Sequence, residues 1–312
     1  MKYLIGMDGG GTKTKCILTD LNLNPVFETT GGPSNFLVIG KEKVSNTILD
    51  LVNQCLAFQK MSPDEIHALV LGTTGGGRRN DAEILENQIL QDCNQRNLKL
   101  EKIRVESDAR IALEGAFSGN AGSILIAGTG SIMFGKDEAG IIHRVGGFGR
   151  YIGDEGSGYR IGWQALNAVA REIDGRGRHT KISDLVSTEF SISSGEDLIT
   201  EVYRNNFNIA SVAPIVFNAA EKGDKIAQRI LENEADELIM HITAMKAKLK
   251  VKLLKVSLIG SLLTTANYFS YLFSEKVVRS FNDVQIREAE HTPEYGAALM
   301  AKNLLIKNNL NN

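Results

Sequence analysis

Apolar residues follow two rhythms along this chain. Short continuous runs, at Tyr3-Leu4-Ile5-Gly6-Met7, His67-Ala68-Leu69-Val70-Leu71-Gly72, Ser123-Ile124-Leu125-Ile126-Ala127 and Val256-Ser257-Leu258-Ile259, predict buried strands. Between them the apolar positions recur every three or four residues. Val44, Ile48, Leu51, Val52 and Leu56 predict a helix over Glu42–Phe58, and similar patterns predict helices over Asp81–Gln95, Tyr159–Ile173 and Lys225–Lys248.

Taken in order, residues 3–9, 14–21 and 25–30 read as an antiparallel meander. Helix 42–58, strand 67–72, helix 81–95, strand 103–107 and a helix through Ile111–Phe117 follow. That succession is one complete α/β unit. The stretch Phe117–Gly122 reads as the crossing into a second unit. There a strand, Ser123–Ala127, a tight turn, Gly128-Thr129-Gly130-Ser131, and a strand, Ile132–Gly135, repeat the opening scheme about 120 residues on. Residues 180–250 read as mostly helical. A strand at 256–261, a helix from Thr264, a strand at 284–287 and a helix opening near Pro293-Glu294 close the chain, with a frayed tail over Asn308–Asn312.

At 312 residues the chain is about twice a usual single domain. A net charge of −2 gives no sign of a polyanion-binding surface, so nucleic acid is not expected as a partner. Cys16, Cys55 and Cys93 are scattered without metal-binding or disulfide spacing, as in a reducing cytoplasm. The first residues are too short for a signal segment and no apolar run approaches the ~18 residues of a membrane span. The expectation is a soluble cytoplasmic protein without a membrane partner.

Candidate chemistry sits where strands end in glycine. Met7-Asp8-Gly9-Gly10-Gly11-Thr12-Lys13-Thr14 places unhindered backbone N–H groups and hydroxyls where an anion can lie. A carboxylate beside a phosphate cradle repels it unless a divalent cation stands between them, so Asp8 points to Mg²⁺. The stretch is not a Walker A loop, which needs Gly-Lys-Ser/Thr and a long helix directly after it. Two matched Gly/Thr hairpins, at residues 9–12 and 128–131, suit the two ends of one phosphate chain. Asp108, at a strand end and a helix start, and the loop Gly146–Gly158, with six glycines around Asp154-Glu155, complete the polar positions. Asp108, Asp154 and Glu155 are equally placed to cap helices.

With D-G-G-G-T-K-T, P-S-N-F, G-T-G-S and G-G-x-G-x-x-x-G-D-E-G-S-G-Y in this order, the chain resembles the actin/hexokinase/Hsp70 ATPase superfamily. Within it, it resembles the BadF/BadG/BcrA/BcrD ATPases and their N-acetylglucosamine kinase members. The resemblance spans essentially the whole chain. It implies an α/β fold of two ribonuclease H-like (actin-like ATPase) domains with a ligand cleft between them: 1–117 plus the C-terminal helix 293–312, and 118–292. It implies ATP and Mg²⁺ as cofactors, a homodimer, and transfer of phosphate to the 6-hydroxyl of an amino sugar. By the same resemblance Asp8 holds Mg²⁺ through water, and Gly9, Gly10, Gly11, Thr12 and Lys13 receive the terminal phosphates. Gly128 and Thr129 hold phosphates from the second domain, while Ala210, Gly260, Ser261 and Thr265 border the adenosine. Asn35, Asp108, Ser131, Gly147, Phe148, Gly149 and Asp154 surround the sugar. Asp108 is the expected general base, taking the proton of the hydroxyl that attacks phosphorus.

Two positions depart from the pattern. Vertebrate-type N-acetylglucosamine kinases follow G-T-G-S with Asn, where this chain has Ile132, which can neither donate nor accept a hydrogen bond. Phe148 replaces their Trp. N-acetylglucosamine, glucosamine, N-acetylmuramic acid and plain glucose therefore all remain candidate substrates. A related reading, the activator ATPase that works on a protein partner, needs an iron–sulfur cluster held by cysteines in glycine-rich loops. Here Cys16 falls in a strand and Cys55 and Cys93 in helices. A sugar-responsive regulator would need a DNA-binding module ahead of the first strand, where this sequence has two residues.

Overall fold

The computed structural model describes residues 2–100 and 102–309. Residues 310–312 of the expected tail lie outside the described residues. The chain divides into two compact units, Met1–Gly122 with Glu288–Asn312, and Ser123–Arg287.

In the first unit β1 (Tyr3–Gly9), β2 (Thr14–Asp20) and β3 (Pro25–Gly31) form the antiparallel meander. A one-turn helix, α1 (Phe36–Ile39), leads into α2 (Lys41–Gln59). The parallel strands β4 (Ile66–Thr73) and β5 (Ile103–Glu106) alternate with α3 (Arg79–Gln95) and α4 (Asp108–Ala116). The sheet order is β3-β2-β1-β4-β5. β1 and β4 are almost wholly buried because helices cover both faces of the sheet.

The second unit repeats this plan. β6 (Gly122–Ala127), β7 (Ser131–Lys136) and β8 (Ile142–Gly146) form its meander, and α5 (Gly158–Ile173), α6 (Lys181–Phe190), α7 (Gly195–Tyr203), α8 (Ala213–Glu221) and α9 (Lys225–Leu249) follow. Then come β9 (Leu254–Ile259), α10 (Ser261–Thr264), α11 (Tyr268–Ser280) and β10 (Val284–Arg287). Read from β8, the order β8-β7-β6-β9-β10 is the same arrangement as β3-β2-β1-β4-β5, with the same parallel and antiparallel pairings. The helix expected from Thr264 is two helices. Asn267 takes the backbone N–H of Ser270 and forms a capping box with it, so α11 starts afresh after an extended Thr265.

The final helix, α12 (Pro293–Asn309), seats against β1 and α4 in the first unit. Glycines make the approach possible. A Cβ at Gly6 would fall 2.1 Å from the carbonyl oxygen of Glu294, and one at Gly296 would fall 2.1 Å from that of Ile111. Leu4, Ala68, Val70, Ile111, Ala297 and Ala301 fill the seam. This packing carries Glu294, in the first turn of α12, to the side of β1 and β2.

Candidate functional site

In the first unit β1 runs out at Asp8-Gly9 and the chain reverses within four residues, closed by Gly10 N–H donating to the carbonyl of Lys13 at 2.9 Å. Gly11, Thr12 and Lys13 at the tip are exposed. Gly9 is under a different constraint: a Cβ there would stand 1.9 Å from Ser34 Oγ. Ser34 is buried, its N–H donates to Gly10 O at 3.0 Å, and its hydroxyl lies 2.9 Å from Thr14 Oγ1. The segment Pro33–Phe36 is thus tied to the turn, and Asn35 stands beside it at the start of α1. The Asn35 side-chain oxygen is shielded from solvent and has no hydrogen-bond partner among the described residues. Such an atom carries a desolvation cost that a donor on a ligand removes.

Asp8 sits in an acidic environment. Burial, and after it the charge of Glu294, push its carboxyl up to about 6; Lys15 pulls the other way and Asp108 adds to the rise. Glu294 is itself buried, with Lys15 Nζ 3.8 Å from one carboxylate oxygen and the other oxygen unpartnered. A divalent cation relieves such a cluster. Among the described residues no three His, Cys, Asp or Glu side chains converge closely enough to hold an ion by direct ligation. Asp8 could hold Mg²⁺ only alongside phosphate and water ligands, a donor set that Mg²⁺ accepts.

Asp108 is the first residue of α4, and the helix is capped by its neighbour. Ser107 takes the N-cap position, its hydroxyl accepting from Arg110 N–H at 3.1 Å. The carboxylate of Asp108 is left for other work. One of its oxygens accepts from Ala109 N–H at 2.8 Å, and the other from Thr74 Oγ1 at 2.9 Å. Thr74 follows β4 in the glycine loop Gly75–Gly77, and a Cβ on Gly76 would come within 2.3 Å of the Glu106 carbonyl, so the loop lies flat against the end of β5. Thr73 Oγ1 donates to Ser34 O at 2.7 Å. The turn at Gly9, the Ser34-Asn35 pair and the Thr73-Thr74 pair beside Asp108 are therefore one bonded assembly.

In the second unit the reversal at Gly128–Gly130 is closed by Gly128 N–H to Gly130 O at 2.9 Å. It is clasped by α5, whose Gly158 N–H donates to Gly128 O at 2.8 Å. Gly260, at φ +96°, passes so close to Ala127 that a Cβ would fall 2.2 Å from its carbonyl oxygen. Ala210 lies against Gly158, so Gly128, Thr129, Ala210, Gly260 and Ser261 share one corner. Thr265 lies beyond α10, its N–H bonded to Ser261 O at 3.2 Å. A cavity of about 610 Å³ opens beside Thr129 and Gly130, lined further by Asp154, Tyr159, Phe207 and Ile209.

The loop after β8 turns on Gly146, Gly147 and Gly149, all at positive φ. Ser131 Oγ donates to Glu155 O at 2.5 Å. Asp154, itself left-handed at φ +57°, accepts from Gly149 N–H at 3.2 Å, and a Cβ on Gly130 would strike its carboxylate at 2.9 Å. Burial pushes the Asp154 carboxyl up, against the backbone donors of Gly149 and Ser131 that pull it down. Ser157 caps α5, its hydroxyl accepting from Arg160 N–H, so neither Asp154 nor Glu155 caps that helix. Beneath the loop, Gly156 N–H donates to Glu234 of α9 at 2.6 Å. Phe148 is exposed, with the Arg144 guanidinium 5.2 Å above its ring. Ile132 packs against Gly147, where a Cβ would fall 2.3 Å from its methyl end.

Sequence reasoning passed over Ser34, Thr74, Ser107, Glu234 and Glu294. Thr74 carried a signal, a threonine at the end of a buried strand before three glycines. No spacing links Glu294 to Asp8.

A profile of the BadF/BadG/BcrA/BcrD ATPase family matches residues 5–301. The chain is 35% identical over 308 residues to the N-acetylmuramic acid/N-acetylglucosamine kinase of Clostridium acetobutylicum, covering 97% of this chain and 99% of that protein. It is 28% identical over 319 residues to the N-acetyl-D-glucosamine kinase of Dictyostelium discoideum, covering 97% and 98%. A crystal structure from Chromobacterium violaceum, provisionally called an N-acetylglucosamine kinase, superposes with a TM-score of 0.71 at 23% identity over 97% of this chain and 99% of that one. That last likeness bears on the fold.

Proposed function

The chain belongs to the BadF/BadG/BcrA/BcrD ATPase family, and from that premise we propose that it is an ATP-dependent kinase that phosphorylates an amino sugar, N-acetylglucosamine first among the candidates, at the 6-hydroxyl. The observation that carries the reading is Asp108. Ser107 does the capping and Thr74 fixes the carboxylate, so Asp108 is oriented and free to take a proton.

In this reading Asn35 and Asp108 receive the sugar in the first unit, and Ser131, Gly147–Gly149 and Asp154 receive it in the second. The unpartnered oxygen of Asn35 accepts from a sugar hydroxyl or an amide N–H. Asp108 accepts the proton of the attacking hydroxyl as the sugar oxygen bonds to the γ-phosphorus and the bond from that phosphorus to the bridging oxygen breaks, releasing ADP, and Thr74 keeps the accepting oxygen aimed. Gly9–Lys13 and Gly128-Thr129 offer N–H groups and hydroxyls to phosphate oxygens, and Ala210, Gly260, Ser261 and Thr265 border the nucleoside. Mg²⁺, which Asp8 would hold through water, supplies positive charge to the transferred phosphate when bound with ATP. Ile132 gives an apolar surface in place of a hydrogen bond, which leaves glucosamine and N-acetylmuramic acid as the alternative acceptors. The three free thiols fit the cytoplasm. The homodimer rests on the resemblance alone.

The test is ATP-coupled phosphorylation of glucose, glucosamine, N-acetylglucosamine, N-acetylmannosamine and N-acetylmuramic acid, run beside Asp108→Asn. Expected is turnover on one amino sugar that drops at least 10²-fold in the variant while nucleotide binding holds. Slow ATP hydrolysis on every sugar, unchanged by the substitution, would overturn the reading.

A further inference from the structure

The second unit carries a second concavity, a groove of about 1120 Å³ along α5 and α9, lined by none of the candidate phosphate, nucleoside or sugar residues above. Arg160, Arg171, Arg178, Lys181, Lys225 and Arg229 line it against two carboxylates, Asp184 and Asp224. Six cations over two acids is a local excess of four in a chain whose net charge is −2.

The two acids are already engaged. Asp224 caps α9, one oxygen accepting from Ile226 and Ala227 N–H, and the other from Thr180 Oγ1 and Lys181 N–H. Asp184 lies 3.4 Å from His179, whose other ring nitrogen meets Glu172 at 2.7 Å. The two lysines are tethered as well, Lys181 to Lys222 O and Lys225 to Gln228. Of the arginines, Arg160 faces a buried carboxylate, that of Glu234, whose ionised form its charge favours. Arg178 and Arg229 are exposed and their side chains make no hydrogen bond or ion pair among the described residues, and Arg171 is exposed, its charge favouring the ionised form of Asp174. Arg160 lies 5.3 Å over the ring of Trp163, and its Nε is shielded from solvent without a partner. A buried, unpartnered guanidinium N–H in an arginine-lined groove is a donor that lacks its acceptor.

We propose that this groove binds a small ligand carrying a phosphate dianion. Guanidinium groups match phosphate oxygens in pairs, and the bonds are charge-assisted. The volume admits more than a bare ion, and the indole of Trp163, 45% exposed, offers a flat apolar surface to a sugar ring beside the phosphate. A phosphorylated sugar fits both features, and inorganic phosphate fits the first.

Trp163 is the chain's single tryptophan, so its emission reports this groove. The experiment titrates the full chain with glucosamine 6-phosphate, with inorganic phosphate, and with unphosphorylated N-acetylglucosamine as control, following tryptophan fluorescence. The same titrations are run on Arg178→Ala/Arg229→Ala, whose exposed sites leave the fold undisturbed, and on Asp108→Asn. A saturable change with a phosphate-bearing probe is expected, weakened at least tenfold in the double arginine variant and retained in Asp108→Asn. Tighter binding of the sugar phosphate assigns the ring to Trp163, and equal affinities assign the site to phosphate itself. No saturable change with either phosphate probe, an unaltered titration in the arginine variant, or an equal response to the unphosphorylated sugar each overturns the proposal. No turnover is read, so the outcome is separate from that of the kinase assay.

Discussion

Replacing Asp8 with Asn should stabilise the ligand-free protein. Burial and neighbouring carboxylates raise the Asp8 pKa from the usual 3.8 to about 6, a shift of about 2 units, and each unit is about 1.4 kcal/mol of differential interaction. The upper figure is about 3 kcal/mol; partial solvent exposure trims it to about 1.5–3 kcal/mol. Because the folded pKa is the higher one, the fold favours the protonated acid. The stability this supplies is complete below about pH 3.8 and is lost as pH rises through about 6. Asn carries no charge at any pH and escapes that loss. The gap between variant and wild type should therefore be widest at pH 8 and close toward pH 4. For a unit near 150 residues that is about 4–10 °C in melting temperature. The assay is scanning calorimetry with a chelator at pH 8, 6 and 4. Mg²⁺ with nucleotide should then stabilise wild type more than the variant, since the substitution removes the carboxylate proposed to face the cation. If Asp8→Asn melts at or below wild type at pH 8, or by the same margin at every pH, the acidic cluster is not under the strain described.

Gly9→Ala forces a Cβ to within 1.9 Å of Ser34 Oγ, so the buried serine must leave Thr14; a loss of about 1–3 kcal/mol is expected. Adding Ser34→Ala should recover part of it in the same melting assay, and failure to do so would mean that the turn is constrained by something else. Gly296→Ala meets backbone, 2.1 Å from Ile111 O, and backbone does not step aside. A loss of about 2–4 kcal/mol is expected, and a variant that melts with wild type would show that α12 is not seated as described.

What the sequence made legible was set by local physics. The continuous apolar runs at 66–73 and 122–127 are buried strands because both sheet faces are covered, and the glycine turns after β1 and β6 are the reversals the pattern asked for. β8 escaped notice because Ile142–Gly146 is short, half-exposed and mixes His143 and Arg144 into the run. α1 is a single turn, below the length at which periodicity can be read. The site was legible as a set of strand ends. Its supports were not: whether Ser107 or Asp108 caps α4 is a choice between adjacent residues that propensity cannot make, and both are good N-caps. Glu234 and Glu294 act from 78 and 286 residues away along the chain, through helices whose position depends on packing.

The two units share a strand order but not a charge pattern, and the difference has a chemical logic. β1 ends in Asp8 before its glycines, whereas β6 ends in Ala127 before Gly128. Both reversals present backbone donors and a threonine, which is what a phosphate chain needs at each of its ends. Only the first carries an acid on the strand that enters it, and the acids that influence Asp8, Glu294 and Asp108, belong to the same unit. The second reversal has its acid from another segment: a Cβ on Gly130 would fall 2.9 Å from the Asp154 carboxylate, one oxygen of which accepts from Gly149 N–H. In the proposed reaction the base, which opens α4 after β5, and the metal-facing acid, near the end of β1, then belong to one unit, with β4 between their strands. The loop after β4 contributes as well, since Thr74 holds the Asp108 carboxylate at 2.9 Å.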